Sequence, residues 1–104
     1  MSEEHVVRMA ELKIDPAMLE AYRALLAEEI EASVALEEGV LSLSAVSLKD
    51  DPSTIRILEV YASSQAYEAH LKTPHFLKYK SETAGMVVSL TLIEVDPIMM
   101  RAKS

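Results

Sequence analysis

The chain contains no cysteine and only two glycines in 104 residues. Without cysteine it cannot form a disulfide, a thiolate nucleophile, an iron–sulfur cluster or a zinc–thiolate site. Two glycines do not supply a glycine-rich phosphate loop or a dinucleotide-binding fingerprint, and no serine stands in the motif of a nucleophile elbow. We therefore predict that the protein uses no cofactor, and the missing thiols fit a reducing compartment.

Basic residues are also few, with 10 lysines and arginines against 17 acidic residues and a net charge of −7. A basic stripe is the mark of nucleic-acid binding, and anionic lipid also attracts basic segments, so we predict no nucleic-acid and no membrane partner. The N-terminus lacks the basic region and apolar run of a secretory signal, and no stretch reaches the roughly 20 apolar residues of a membrane span. The sequence therefore favours a cytoplasmic protein.

One domain is predicted over residues 1–104, with a core at 6–96 and a short tail at 97–104, because about 100 residues is an ordinary domain length. Apolar alternation bounded by turn residues predicts four strands, at Val6–Ile14, Val40–Ser47, Thr54–Tyr61 and Met86–Val95. Helical spacing predicts helices from Pro16 to about Glu38, from Gln65 to Leu71 and from Pro74 to Thr83.

The predicted helices carry start and stop signals. Capping residues precede them, namely Asp15, Ser63 or Ser64, and Thr73. Gly39 is expected to end the first helix in the left-handed conformation. The acidic residues of this helix and its end are interpreted as a solvated face, since runs of like charge usually face water; they are Glu28, Glu29, Glu31, Glu37 and Glu38.

The element order β-α-β-β-α-β is that of a ferredoxin-like α+β fold, an antiparallel sheet with both helices on one face. The strands keep apolar residues on both faces, so the face without helices would be a large exposed apolar patch; the residues concerned are Val7, Met9, Leu41, Leu43, Leu90 and Leu92. Packing that face against the same face of a second copy covers it. We therefore expect a homodimer.

The groups capable of acid–base chemistry are concentrated in residues 59–79. His70 and His75 lie here, and histidine gains and loses protons near neutral pH. Glu59 stands in an apolar strand, where a carboxylate must be paired or lie at a cavity mouth. The segment also holds the aromatic residues that could line a pocket for a flat molecule, namely Tyr61, Tyr67, Phe76 and Tyr79.

Each of these residues also has a purely structural interpretation. A histidine can cap a helix end, Glu59 can pair with Arg8 or Arg56, and the aromatic residues can be core. His70 and His75 are five residues apart, not at the i, i+4 spacing of a metal-binding helix. No third ligand stands out, and we predict no metal site.

Three segments resemble the antibiotic biosynthesis monooxygenase family of small dimeric α+β barrel proteins. Its A-Y-x-A-H-x-x-T-P-H-[FY] stretch resembles Tyr67-Glu68-Ala69-His70-Leu71-Lys72-Thr73-Pro74-His75-Phe76. Its E-x-[YW] strand end resembles Leu58-Glu59-Val60-Tyr61, and its E-x-G-x-L turn resembles Glu37-Glu38-Gly39-Val40-Leu41. The resemblance covers residues 6–95.

The resemblance implies a ferredoxin-like protomer, two sheets packed into a barrel, and a pocket between each sheet and its helices. Glu59, His70 and His75 would be the polar pocket groups, with Tyr61, Tyr67, Phe76 and Tyr79 as walls. Some members oxygenate quinols and anthrones with molecular oxygen alone, one branch isomerises a phosphorylated sugar derivative, and another degrades haem. The haem branch relies on an Asn and a Trp beside its histidine, and this chain contains neither.

Three functions remain open from the sequence. The first is oxygenation of a small phenolic or quinol-like substrate, in which His70 or His75 is the base and Glu59 orients it or joins a proton relay. The second is a cofactor-free isomerase or tautomerase, whose phosphorylated substrate would need basic pocket residues; the candidates are Arg8, Arg56, Lys72 and Lys78. The third is a binding module that uses the same cavity without catalysis.

Overall fold

The structure, a computed structural model, describes residues 5–103 and contains a four-stranded antiparallel sheet. The strands are β1 (Val6–Ile14), β2 (Val40–Leu48), β3 (Asp51–Tyr61) and β4 (Val87–Val95), in the order β2-β3-β1-β4. The predicted ferredoxin-like α+β fold is confirmed. The turn between β2 and β3 is shorter than predicted, because Asp51 already pairs with Leu48 across a register shift in the ladder.

Three α-helices and a short 3₁₀ helix lie between the strands, and a side chain caps the start of the 3₁₀ helix and of the last two α-helices. A short 3₁₀ helix (Pro16–Met18) leads into α1 (Leu19–Leu36), and α2 (Ser64–His70) and α3 (Pro74–Thr83) follow β3. The side chains of Asp15, Ser63 and Thr73 accept hydrogen bonds from backbone N–H groups at the start of these helices. Such caps satisfy amide groups that have no partner within a helix. All three predicted helix starts are confirmed.

The core lies between the sheet and α1. Alternate residues of the two central strands point toward the helices and are buried against Tyr22 and Leu26 of α1 and Tyr79 of α3; they are Ala10, Leu12, Ile14, Ile55 and Ile57. Each large apolar side chain buried in this way stabilises the fold by about 1.5–3 kcal/mol. The helical face of the sheet is therefore fixed, and with it the direction in which Glu59 and Tyr61 point.

Gly39 does not adopt the left-handed conformation that the sequence predicts, since neither glycine has a positive φ. The need for glycine has another cause. A β-carbon at Gly39 would overlap the β-carbon of Ala66 in α2 and lie 3.4 Å from its Cα. Glycine here allows the end of α1 to approach the backbone of α2.

The face of the sheet without helices carries two apolar rows. One row joins Val60, Val7 and Val95 across the strands, and the next joins Leu58, Met9 and Ile93. Leu43, Leu90 and Leu92, in contrast, lie on the helical side, where they line a cavity. The apolar outward face that motivates the dimer is thus smaller than the sequence indicates, and the homodimer stays a prediction.

We expect the protein to have a mass in solution of twice its 11.5 kDa, with the row of Leu58, Met9 and Ile93 in the interface, because Val7 and Val60 of the other row are already buried within the chain. Leu58→Glu places a charge in this row and should convert the dimer to a monomer, because an unpaired charge is costly to bury. Size-exclusion chromatography with light scattering measures this. Ala24→Glu, on the exposed surface of α1, is the matched control, and a parent protein at 11.5 kDa contradicts the prediction.

None of the helices within residues 5–103 has the length and apolar character to cross a membrane. The cytoplasmic location and the absence of a nucleic-acid partner stay predictions.

Candidate functional site

A cavity of about 330 Å³ lies between the sheet and the helices. Its wall is mainly apolar, with side chains that include Leu12, Leu26, Leu43, Ile57, Leu90 and Leu92. Six of the seven predicted site residues also line it, namely Glu59, Tyr61, Tyr67, His70, Phe76 and Tyr79. His75 does not line the cavity. The sequence therefore identified most of the polar and aromatic wall, although the roles of these residues stay predictions.

His70, the last residue of α2, is the most enclosed polar group of this wall, with 3% of its side chain exposed. Its ring packs against Tyr61 and Phe76, with centroid distances of 5.4 and 4.9 Å. Both nitrogens have carboxylate partners: Nδ1 lies 2.9 Å from Glu37 Oε2, and Nε2 lies 3.3 Å from Glu29 Oε1. The imidazole is therefore held rigidly between two acidic groups.

Glu37 joins the two histidines. Its Oε2 contacts His75 Nε2 at 2.6 Å as well as His70 Nδ1. The break between α2 and α3 allows this, because Thr73 accepts from Phe76 N and donates to the carbonyl of His70, which turns the chain so that both rings face the end of α1. The carboxylate that orients a histidine is thus Glu37, and not Glu59 as the sequence suggests.

Glu29 is a second acidic group that the sequence reasoning missed. It is 6% exposed, lines the cavity, and accepts a hydrogen bond from Ser33 Oγ at 2.8 Å. The interpretation of the acidic residues as a solvated face is wrong for Glu29 and Glu37, which are buried or nearly so, and correct for Glu28, Glu31 and Glu38. Burial raises the pKa of Glu29 more than its hydrogen bond to Ser33 and the nearby His70 lower it.

Helical spacing contains the signal that could have found Glu29. Tyr22, Leu26, Glu29 and Ser33 are the buried residues of α1, separated by four, three and four positions. This is the interval at which residues share one face of a helix. A carboxylate that falls on the apolar face of a helix by this spacing is expected to be buried, even when its sequence neighbours are also acidic.

Glu59 lies in β3, where its Oε1 accepts a hydrogen bond from Tyr61 at 2.7 Å. Burial raises the pKa of Glu59, outweighing the Tyr61 hydrogen bond and the charges of His70 and Arg8, which lower it. Arg8 stands opposite Glu59 in the sheet, but its guanidinium lies over the Tyr67 ring at 4.6 Å. Arg56 pairs with Glu11 instead. Glu59 is therefore a weakly compensated carboxyl group in an apolar wall.

Two phenols of the wall, those of Tyr61 and Tyr79, stay neutral. Burial and the neighbouring carboxyl groups raise the pKa of Tyr61 and of Tyr79, so both hydroxyls remain protonated near neutral pH. Tyr79 Oη lies 2.6 Å from the hydroxyl of Tyr22, which is fully buried behind it. These phenols can donate hydrogen bonds in the cavity, but they cannot act as bases.

Within residues 5–103, the side chains of Glu37, His70 and His75 could together offer three ligand atoms to a metal ion. These atoms lie within 4.8 Å of one another. The N–O separations of 2.6 and 2.9 Å are hydrogen-bond lengths. Two ligands bound at 2.0–2.1 Å to one tetrahedral ion would stand about 3.3 Å apart. The arrangement fits a carboxylate bonded to two imidazoles, and none of its contacts requires an ion.

The chain is similar to known proteins in both sequence and fold. The model of the antibiotic biosynthesis monooxygenase family matches residues 5–82. A Bacteroides thetaiotaomicron protein, provisionally named an antibiotic biosynthesis monooxygenase, is 48% identical, with 97% of this chain and 96% of that chain covered and a TM-score of 0.93. No protein with a curated description matches.

Two more distant structures show the same fold. A Lactobacillus acidophilus protein, provisionally named a monooxygenase, is 30% identical with a TM-score of 0.85; the match covers 89% of this chain and 46% of that one. A Caulobacter crescentus protein with the same provisional family name is 20% identical, with 93% and 92% covered and a TM-score of 0.86. The last similarity concerns the fold alone.

Proposed function

Because the chain belongs to the antibiotic biosynthesis monooxygenase family, we propose that it oxygenates a small phenolic or quinol-like aromatic substrate with molecular oxygen and without a cofactor. One observation carries the proposal: an apolar cavity of about 330 Å³ has in its wall a histidine, a buried carboxyl group and a half-buried one. Ligand pockets commonly measure about 300–1,000 Å³, so the substrate is small.

The proposed reaction begins with removal of a proton from the substrate. His70, with Glu29 at its Nε2, takes the proton, and the electron-rich anion then transfers one electron to oxygen. Recombination of the two radicals gives a peroxide on the substrate carbon. When the peroxide breaks down, one oxygen atom stays in the product as a carbonyl and the other leaves as water, so the substrate supplies all the electrons.

Breakdown of the peroxide needs a proton donor, and Glu59 is suited to this role. Its Oε1 is occupied by the Tyr61 hydroxyl, which leaves Oε2 for the substrate. Burial favours the protonated carboxyl group. The apolar wall excludes water and accommodates the uncharged oxygen molecule. His75 lies outside the cavity and acts on it only through Glu37.

The isomerase alternative for a phosphorylated substrate finds little support. Arg8 lies over Tyr67, Arg56 and Lys78 pair with surface carboxylates, and Lys72 is exposed; none of the four lines the cavity. Lys80 is the one cation in the wall, beside Glu29 and Glu59. A doubly charged phosphate would therefore meet two acidic groups and a single lysine, which disfavours its binding.

The test is oxygen consumption by the metal-stripped protein with a panel of quinols and anthrone-like phenols. We expect uptake that survives a chelator and falls about 10²–10⁴-fold in His70→Asn, since general acid–base help has that magnitude. His5→Ala, on an exposed histidine before β1, is the control. Absence of uptake with every compound rejects the oxygenase and favours the tautomerase or binding function, whereas equal uptake in His70→Asn rejects His70 as the base.

A further inference from the structure

We propose that Glu29, His70, Glu37 and His75 form a path that carries protons between the cavity and the protein surface. The proposal rests on the proposed function, because it names the route by which the acid–base groups of that site return to their starting protonation states after each turnover. It assigns roles to two carboxylates for which the sequence predicts none, Glu29 as the cavity end of the path and Glu37 as its connecting group.

Two hydrogen bonds and one close contact join the four side chains. Glu29 Oε1 lies 3.3 Å from His70 Nε2, His70 Nδ1 lies 2.9 Å from Glu37 Oε2, and the same oxygen lies 2.6 Å from His75 Nε2. An imidazole can take a proton at one nitrogen and release another from its second nitrogen. His70 therefore passes a proton without moving, and its enclosed ring is suited to this.

The two side chains at the cavity end of the series are less exposed than the two at its other end. The exposed fractions of the side chains are 7% for Glu29, 3% for His70, 13% for Glu37 and 17% for His75. Only Glu29 and His70 line the cavity. The series thus begins where the substrate would lie and ends at a group that reaches water, which distinguishes a path from a cluster that merely holds the helices together.

Glu29 and His70 lie close enough to share one exchangeable proton. When Glu37 is ionised it accepts from His70 Nδ1, so the Nε2 of a neutral ring carries no hydrogen. This nitrogen faces Glu29 Oε1, an oxygen that already accepts from Ser33. The unprotonated Nε2 of His70 and the ionised Oε1 of Glu29 are both acceptors, and at 3.3 Å they attract each other only when one of them carries a proton. The pair can therefore take up a substrate proton at Nε2 as Nδ1 releases one to Glu37.

Neighbouring charges on every packed element bear on this proton. Glu59 faces the pair from β3, Glu37 from the end of α1, His75 and Lys80 from α3, and the Tyr79 hydroxyl stays neutral. Burial is the largest influence and raises the pKa of Glu29; among the neighbouring charges, Glu59 raises this pKa and His70 and His75 lower it. No atoms or electrons beyond the proton move along the path, so it needs no further reactant.

The first test measures turnover against buffer concentration. We expect His75→Ala to lower kcat about tenfold or more in dilute buffer, as loss of a proton-transfer group does, and added imidazole to restore it. The parent protein and the His5→Ala control should not respond to imidazole. A His75→Ala protein as active as the parent, or one that imidazole does not rescue, overturns the path.

The second test does not depend on activity, and so separates failure of the path from failure of the proposed oxygenase. Nitrogen-15 chemical shifts of the His70 ring are followed against pH in the parent, Glu29→Gln, Glu37→Gln and Glu28→Gln proteins. We expect the first two changes to shift the His70 titration, and Glu28→Gln, an exposed neighbour on α1, to leave it unchanged. An unaltered titration in Glu29→Gln or Glu37→Gln overturns the proposal.

Discussion

The Glu59→Gln protein is expected to unfold at a higher temperature than the parent at pH 8, and to lose most of its turnover. The substitution keeps an acceptor for the Tyr61 hydroxyl, but it removes a carboxyl group whose ionised form is poorly solvated in the apolar wall. Burial raises the pKa of Glu59 above its unfolded value of about 4.5. Stability and catalysis therefore make opposite demands at this position.

The sign of the pH effect follows from linkage. An acid with a raised pKa in the folded state contributes stability that is fully present below its unfolded pKa and is lost as the pH rises through its folded pKa. The melting temperature of the parent should thus fall, relative to that of Glu59→Gln, between pH 5 and pH 8. Differential scanning calorimetry at both pH values measures this difference.

Turnover should change in the other direction. If Glu59 delivers the proton that the peroxide needs, Glu59→Gln lowers kcat about 10²–10⁴-fold with little change in KM. Glu94→Gln is the matched control, because Glu94 is a strand carboxylate whose side chain is 86% exposed and whose contact with Arg8 measures 3.9 Å. A Glu59→Gln protein that melts lower at pH 8, or that turns over normally, contradicts the assignment.

Gly39→Ala is expected to destabilise the fold by about 1–3 kcal/mol, the usual cost of forcing an extra carbon into a packed region. The added β-carbon overlaps that of Ala66 and has the Ala66 Cα at 3.4 Å, so the backbone of α2 must shift. For a domain of this size, a loss of 1 kcal/mol in the free energy of unfolding lowers the melting temperature by about 4–8 °C. Thermal denaturation followed by circular dichroism measures the loss.

Two further proteins show whether the overlap is the cause. Gly85→Ala meets no atom within 4 Å and should leave the melting temperature nearly unchanged. Ala66→Gly costs about 1 kcal/mol by itself in a helix, but in combination with Gly39→Ala it removes the overlap. The double variant should therefore be more stable than the sum of the single effects allows; strict additivity would contradict this explanation.

Local rules predicted most of the fold. Alternation identified the four strands, and the capping side chains of Asp15, Ser63 and Thr73 set the helix starts, because these signals act within a few residues. The reason predicted for glycine at position 39 was wrong. Glycine is needed there because Ala66, 27 positions away in the chain, lies too close for a β-carbon. A close approach of two backbones leaves no local pattern.

The site was predictable only in part for the same reason. The cavity residues between Glu59 and Tyr79 are close in sequence, so their types alone marked the region. Glu37 meets His70 and His75 across separations of 33 and 38 residues. The sequence places it in the E-x-G-x-L turn without giving it a role, and its burial depends on how the end of α1 packs against α2 and α3.

The four tyrosines are the intrinsic chromophores and fluorophores of the protein. The chain has no tryptophan, so its near-ultraviolet absorption and emission come from Tyr22, Tyr61, Tyr67 and Tyr79, with a minor part from one phenylalanine. Three of these rings line the cavity, and the fourth is hydrogen-bonded to one of them. Nearly every photon that the protein absorbs at 280 nm therefore reports on the site, and a ligand that does not absorb there can be followed without any label.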